Sequence, residues 1–265
     1  DKGFINFSSF GSNDLNNTNN LKTRVINDLN FQSLDLMTDY GFKNNYNIYM
    51  KNLNTTAKND SQYKSSPQVE LMSILEFNTS IPMIDENENN VNYLTPKISL
   101  RFNPGDMKNY SDADRKVSVN NIFDINRLGI DDSFEEGKSL TMGVDFKKTN
   151  ILDINKFFEA KFATVYREDD ENFIPSSSGI DKKNSNFFGS ISNNFSEFIN
   201  VGYDFIIDND FNTLKYNSLN TALNFKNLTT EFNFIEENGE FGDGNTLENK
   251  TKLKFNDENY LTFNS

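Results

Sequence analysis

The side chains best equipped for chemistry in this chain are carboxylates and a few loop arginines, because histidine and cysteine are absent altogether. Their absence removes thiolate nucleophiles, disulfides, zinc sites built on Cys and His, and triads that need an imidazole or a thiol. The densest acidic run lies in Tyr166 to Phe173, with Glu168, Asp169, Asp170 and Glu171, and Asp181 follows nearby. Paired carboxylates can exchange protons with a substrate, but a charge run of this kind reads as a solvated loop. Asp85, Asn87 and Asn89 have the spacing of a calcium loop. The glycine position of that pattern holds Asn90 and the closing glutamate position holds Pro96, so the match fails. Gly239 to Asn245 is glycine-rich but lacks the lysine and the following helix of a phosphate cradle, and it reads as a flexible loop tip. No nucleophile and base stand together. The sequence points away from an enzyme and calls for no metal and no cofactor. Arg127 and Asp131, in the acidic stretch that precedes the alternating run 138–146, are the loop residues to test first for a function.

The elements that position these residues are strands. Helical periodicity is almost absent, and apolar residues recur at every second position from end to end. In one segment Leu94, Pro96, Ile98, Leu100 and Phe102 share a face opposite Thr95, Lys97, Ser99 and Arg101. In others Phe158, Ala160, Phe162, Thr164 and Tyr166 oppose Glu159, Lys161 and Ala163, and Tyr203, Phe205 and Ile207 oppose Gly202 and Asp204. Thr251, Leu253 and Phe255 oppose Lys250, Lys252 and Lys254. About fourteen such segments occur, most near the length of a membrane-spanning strand. From Val91 onward, short Asn/Asp/Gly turns tend to alternate with longer loops, and the tight turn at Asp208 to Asp210 falls where a long loop is due. These connections are too short for parallel crossovers. The fold class expected is all-β: an antiparallel meander forming part of a large outer-membrane β-barrel, with no internal domain boundary over 1–265. Pro96 interrupts a good strand and reads as a strand start or a bulge, with local weakening of pairing as its functional reading.

A soluble sandwich or β-solenoid also alternates. Three features favour a membrane. The segments are longer than the ~5–6 residues usual for strands of soluble proteins. Their apolar faces are rich in Phe and Tyr, as a lipid-facing band with aromatic girdles is. Their opposite faces carry charges in mid-strand, which a water-filled lumen accepts and a packed core rejects unless they are paired. The formal net charge of -13 opposes nucleic-acid binding. No apolar run reaches the ~20 residues of a membrane helix.

Three stretches together resemble the LPS-assembly protein family LptD, also called the organic-solvent-tolerance proteins. "NYLTPKISLRFNPGDMKN" (92–109) resembles its Leu-x-Pro-Lys strand with an Arg-Phe/Tyr-x-Pro end. "NIFDINRLGIDDSFEEGKSLTMGVDF" (121–146) resembles its Asn-Arg-x-x-Gly-x-Asp-Arg-x-Glu-x-Gly loop and the strand after it. "SSSGIDKKNSNFFGSISNNFSEFINVGYDFIIDNDF" (176–211) resembles its later Ser-Gly-Leu-Asp region with paired strands. The matches run in the family's order over roughly 92–211. Only Leu128 separates Arg127 from Gly129, one residue fewer than the pattern, and Asp131-Asp132 replaces Asp-Arg, which removes any salt bridge built on that arginine. The family's periplasmic jellyroll, its first barrel strands and its cysteines are not visible in the sequence. The resemblance implies an outer-membrane translocon that inserts lipopolysaccharide into the outer leaflet. It also implies an LptE-like lipoprotein plug in the lumen, an LptA-like periplasmic bridge, contact with membrane lipids, and no covalent chemistry. Another outer-membrane porin or receptor and a soluble secreted carbohydrate-binding β protein are the alternatives.

On this reading Lys97, Arg101, Glu159, Lys161, Asp204, Lys250, Lys252 and Lys254 face the lumen. Residues 126–137 close the longest loop, where their charges are free to meet water. Leu140, Met142, Val144 and Phe146 then face lipid, and Ser139, Thr141, Gly143 and Asp145 face the lumen.

Overall fold

The computed structural model describes residues 2–256 and 259–265. The period-two pattern becomes a single antiparallel sheet, because alternating side chains bury one face of each strand at a time. Its strands are β1 (Gly3–Asn16), β2 (Asn20–Ser33), the short β3 (Leu36–Met37), β4 (Lys43–Lys58), β5 (Gln68–Ser80), β6 (Met83–Glu86) and β7 (Asn90–Asn103). They continue as β8 (Gly137–Asn150), β9 (Phe157–Arg167), β10 (Phe187–Ser196), β11 (Ile199–Ile207) and β12 (Leu214–Phe225). The last are β13 (Leu228–Glu237), β14 (Gly244–Lys254) and β15 (Tyr260–Asn264). Among the described residues, thirteen of the 15 strands follow one another as neighbours in chain order, while β3 pairs with β4 and β6 with β7. β1 and β15 lie at opposite ends of that order, so the sheet is open. Each step reverses direction, and an odd number of strands leaves β1 and β15 running parallel.

Connections fall into two sets at the two ends of the sheet. One end carries 17–19, 59–67, 104–136, 168–186, 208–213 and 238–243, and the other carries the remaining turns. The turn after β11 sits among the loops, as the sequence had it.

The loops at the first end do not all stay in water. Residues 104–136 fold back across one face of the sheet, called the inner face below. Val117, Val119, Ile122, Leu128 and Ile130 of this loop join a core with Ala163 and Val165 of β9, Phe188 of β10 and Ile206 of β11. Phe134 packs into a second core with Ile26 of β2, Leu53 of β4 and Ile74 of β5. The expectation of a water-facing loop is therefore corrected: its apolar residues, spaced without regular period, bury themselves against the small and branched residues of the inner face. Gly239 to Asn245 is corrected in the same way. It opens with a 3-10 turn whose Phe241 is buried in the first core.

Pro96 lies in the middle of β7, opposite Val144 of β8, with no shift of register. It is neither a strand start nor a bulge. Its carbonyl accepts from Ile81 N–H at 3.0 Å. With no N–H of its own it cannot return the bond, and β5 gives way to β6 across this point at residues 81–82.

Candidate functional site

Register brings five polar residues into one cross-strand row on the inner face. Asn47 of β4 lies opposite Glu76 of β5, Glu76 opposite Arg101 of β7, Arg101 opposite Ser139 of β8, and Ser139 opposite Arg167 of β9. The inward loop sets two more charges on that row, Arg127 and Glu135. All seven residues are buried.

The contacts are specific. Arg101 Nε donates to Glu76 at 3.0 Å, and the other Glu76 oxygen accepts from Asn47 Nδ2 at 2.7 Å. Arg101 Nη2 reaches into the loop and donates to the carbonyls of Phe123 (2.8 Å) and Asp124 (2.6 Å). Arg127 grips Glu135 in a two-toothed pair, with Nε donating at 2.7 Å, and its Nη1 donates to Thr141 Oγ1 at 2.9 Å. Arg167 Nη1 donates to the same Glu135 carboxylate from the far side. Asn103 Nδ2 donates to the Glu135 carbonyl at 3.1 Å. Three guanidiniums and two carboxylates leave one excess positive charge, and Arg101 Nη1 and Arg167 Nε have no hydrogen-bond partner.

Burial alone would raise the Glu135 carboxyl. The guanidiniums of Arg127 and Arg167 outweigh it and hold the group at about 2. Asp132 goes the other way: burial pushes its carboxyl above the ordinary carboxylate range.

Of the residues singled out by sequence, the structure brings Arg101 and Arg127 together in this cluster. Arg127, expected in water, is 2% exposed; it is buried because Glu135, Ser139 and Thr141 replace its hydration. Asp131 is exposed beside it. Lys97 pairs with Asp145 at 2.8 Å and lies 4.3 Å from the centre of the Phe123 ring. Lys161 bonds Asn120 of the loop at 3.4 Å and pairs with Glu159 at 3.3 Å. Asp204 lines a small cavity beside residues 116–120, away from the arginines. Lys250 lies opposite Glu231 and Lys252 opposite Thr262, with Lys252 Nζ 4.2 Å from the Tyr260 ring centre; Lys254 lies opposite Tyr260. These three lysines stand apart from the cluster.

Sequence reasoning missed Glu76, Glu135 and Arg167. Glu76 and Arg167 share the parity of their strands' inner positions. That signal was present, but it cannot tell a solvated charge from a buried one.

The outer face is different in kind. Tyr46, Ile48, Leu75, Phe77, Leu100 and Phe102 line an apolar groove of about 700 Å³ there, on the opposite side of the sheet from the ion pairs. Among the described residues no group of three His, Cys, Asp or Glu is placed to hold a metal ion. Arg101 and Arg127 bond the loop and the strands together, so the cluster anchors the loop to the inner face. No family model matches the chain, and no curated protein matches it.

Proposed function

We propose that this chain is part of an outer-membrane β-barrel of the LptD kind, which inserts lipopolysaccharide into the outer leaflet. The single observation that carries the membrane reading is the outer face. Exposed Ile48, Met50, Leu75, Phe77, Leu94, Ile98, Leu100 and Phe102 cover neighbouring strands β4, β5 and β7. Apolar patches of this extent on soluble monomers are rare, whereas a lipid-facing band consists of them. Lys43, Lys51, Glu70, Glu76, Lys97 and Arg101 of the same strands hold inner-face positions, where each is paired. The crossing would be made by strands. No helix among the described residues is long and apolar enough to cross a membrane, which says nothing of a barrel.

The lipopolysaccharide part of the reading rests on the three family-like stretches. In this reading the role is non-catalytic and needs no cofactor. The remaining inner surface, including Lys250, Lys252 and Lys254, meets sugar and phosphate groups or an LptE-like plug, and an LptA-like bridge delivers the substrate. The open edges at β1 and β15 are completed by further antiparallel strands. Since β1 and β15 run parallel, an antiparallel closure needs an odd number of them.

Neighbouring positions on opposite faces test this. A photo-crosslinking side chain at Lys252 should capture lipopolysaccharide in cells, and the same group at Leu253 should capture phospholipid. Recovery of the protein in the aqueous phase without detergent would sink the membrane reading. Capture of phospholipid at Leu253, with no lipopolysaccharide at Lys252 or Lys250, would leave a barrel with a different cargo.

A further inference from the structure

The inward loop carries a second buried acid that the ion-pair cluster does not use. Asp132 is 1% exposed. One of its oxygens accepts from the Tyr110 hydroxyl, and the other has no hydrogen-bond partner. Tyr110 stands near the start of the loop and Asp132 near its end, so this bond closes the loop on itself. Two bonds run alongside it. Lys108 N–H donates to Ser133 Oγ at 3.0 Å, and Met107 N–H donates to the Glu136 carboxylate at 2.9 Å. Tyr110 also ties in the neighbours: its hydroxyl accepts from Gln62 Nε2 at 3.1 Å, and its N–H donates to the Phe173 carbonyl at 2.9 Å. Loops 59–67, 104–136 and 168–186 thus meet at one carboxyl–phenol pair.

An ionised carboxylate held here keeps one oxygen dry and unbonded, which opposes the charged form. Burial accordingly raises the Asp132 carboxyl. The cations that face it, Lys22 and Arg24 from β2 and Lys51 from β4, pull the other way without overcoming burial. Lys51 is itself held by Asp28 at 2.5 Å. Burial raises the Tyr110 phenol as well, with Arg115 and Arg24 opposing and Asp131 assisting, so the phenol remains the donor. Once the loop end lets go, Asp132 returns to water and to its ordinary acidity. The closed form therefore keeps the proton to higher pH than the open form does, and closure weakens as pH rises through that interval.

We propose that closure of the 104–136 loop over the inner face is coupled to proton uptake at Asp132, so that the loop end is held in acid surroundings and loosens as they turn alkaline. Glu135 stays outside the switch, because two guanidiniums keep it ionised throughout. The inference rests on the fold alone and stands or falls separately from the transport reading.

Amide hydrogen exchange over residues 130–136 of the whole chain, corrected for the intrinsic pH dependence of exchange, reads the closing equilibrium. Protection in the unaltered protein should fall as pH rises above the ordinary aspartate range, by up to about tenfold per pH unit where the single group titrates. In Asp132→Asn the corrected protection should be flat. A flat profile in the unaltered protein, or an Asp132→Asn profile with the same slope, overturns the proposal. Tyr110→Phe is the second variant should Asp132→Asn not fold. It removes the donor to the carboxylate and should extend the fall in protection to higher pH, and an unchanged profile there counts against the proposal equally.

Discussion

Replacing Glu135 with glutamine probes the anchor of the inward loop with the smallest change of shape. The carboxylate is shared by Arg127 and Arg167, and Arg101 stands in the same cluster with Glu76 as its own partner. Glutamine removes one of two negative charges among three buried positive ones. It also turns an acceptor toward Arg127 or Arg167 into an amide donor. Removing one partner of a buried ion pair costs about 3–5 kcal/mol, because the remaining charge is left without compensation. At roughly 2 °C per kcal/mol for a chain of this size, the midpoint of thermal unfolding should fall by about 6–10 °C. The pH dependence should change with it. Glu135 is lowered from 4.5 to about 2 in the folded chain, so its stabilisation is present above the unfolded value and is lost as pH falls toward the folded one. Glu135→Gln should erase that acid-side loss between about pH 4.5 and about pH 2. The assay is unfolding followed by circular dichroism across that range in one detergent or lipid. An unfolding midpoint within about 1 °C of the unaltered protein at neutral pH would refute the reasoning, and would mean that the cluster is hydrated enough to tolerate the loss.

Two further perturbations test the packing and pairing of the sheet itself. A Cβ at Gly189 would lie 2.2 Å from the Phe205 ring, so Gly189→Ala should displace that ring and destabilise by about 1–3 kcal/mol; a stability equal to the unaltered protein would show that the ring swings away freely. Pro96→Val restores an N–H facing the Ile81 carbonyl and should slow amide exchange at Ile81, by roughly fivefold for about 1 kcal/mol of hydrogen bond; unchanged exchange would mean that the gap at residues 81–82 is imposed by Pro82.

The strands were legible in the sequence because their signal is local. A side chain at every second position declares which face it joins, and Ser99, Arg101 and Asn103 share the parity that the structure places on the inner face. The candidate site was legible only in part. Arg101 and Arg127 stood out as charges in unusual places, but the row that joins Asn47, Glu76, Arg101, Ser139 and Arg167 depends on the register of four strand pairs. Register couples residues as far apart as Asn47 and Arg167, and no local pattern specifies it.

The sequence by itself determined an all-β antiparallel meander, the parity of each strand's faces, and the placing of charge opposite the aromatic band. Only the tertiary structure decided where the 104–136 loop goes. Its apolar residues follow no period, so their preference for burial has no direction until β9, β10 and β11 present Val165, Phe188 and Ile206 to receive them. The same fold decided the fate of two neighbouring acids. Glu135 and Asp132 are alike in type and in burial, and they differ in electrostatics because one lies between two guanidiniums and the other faces a phenol.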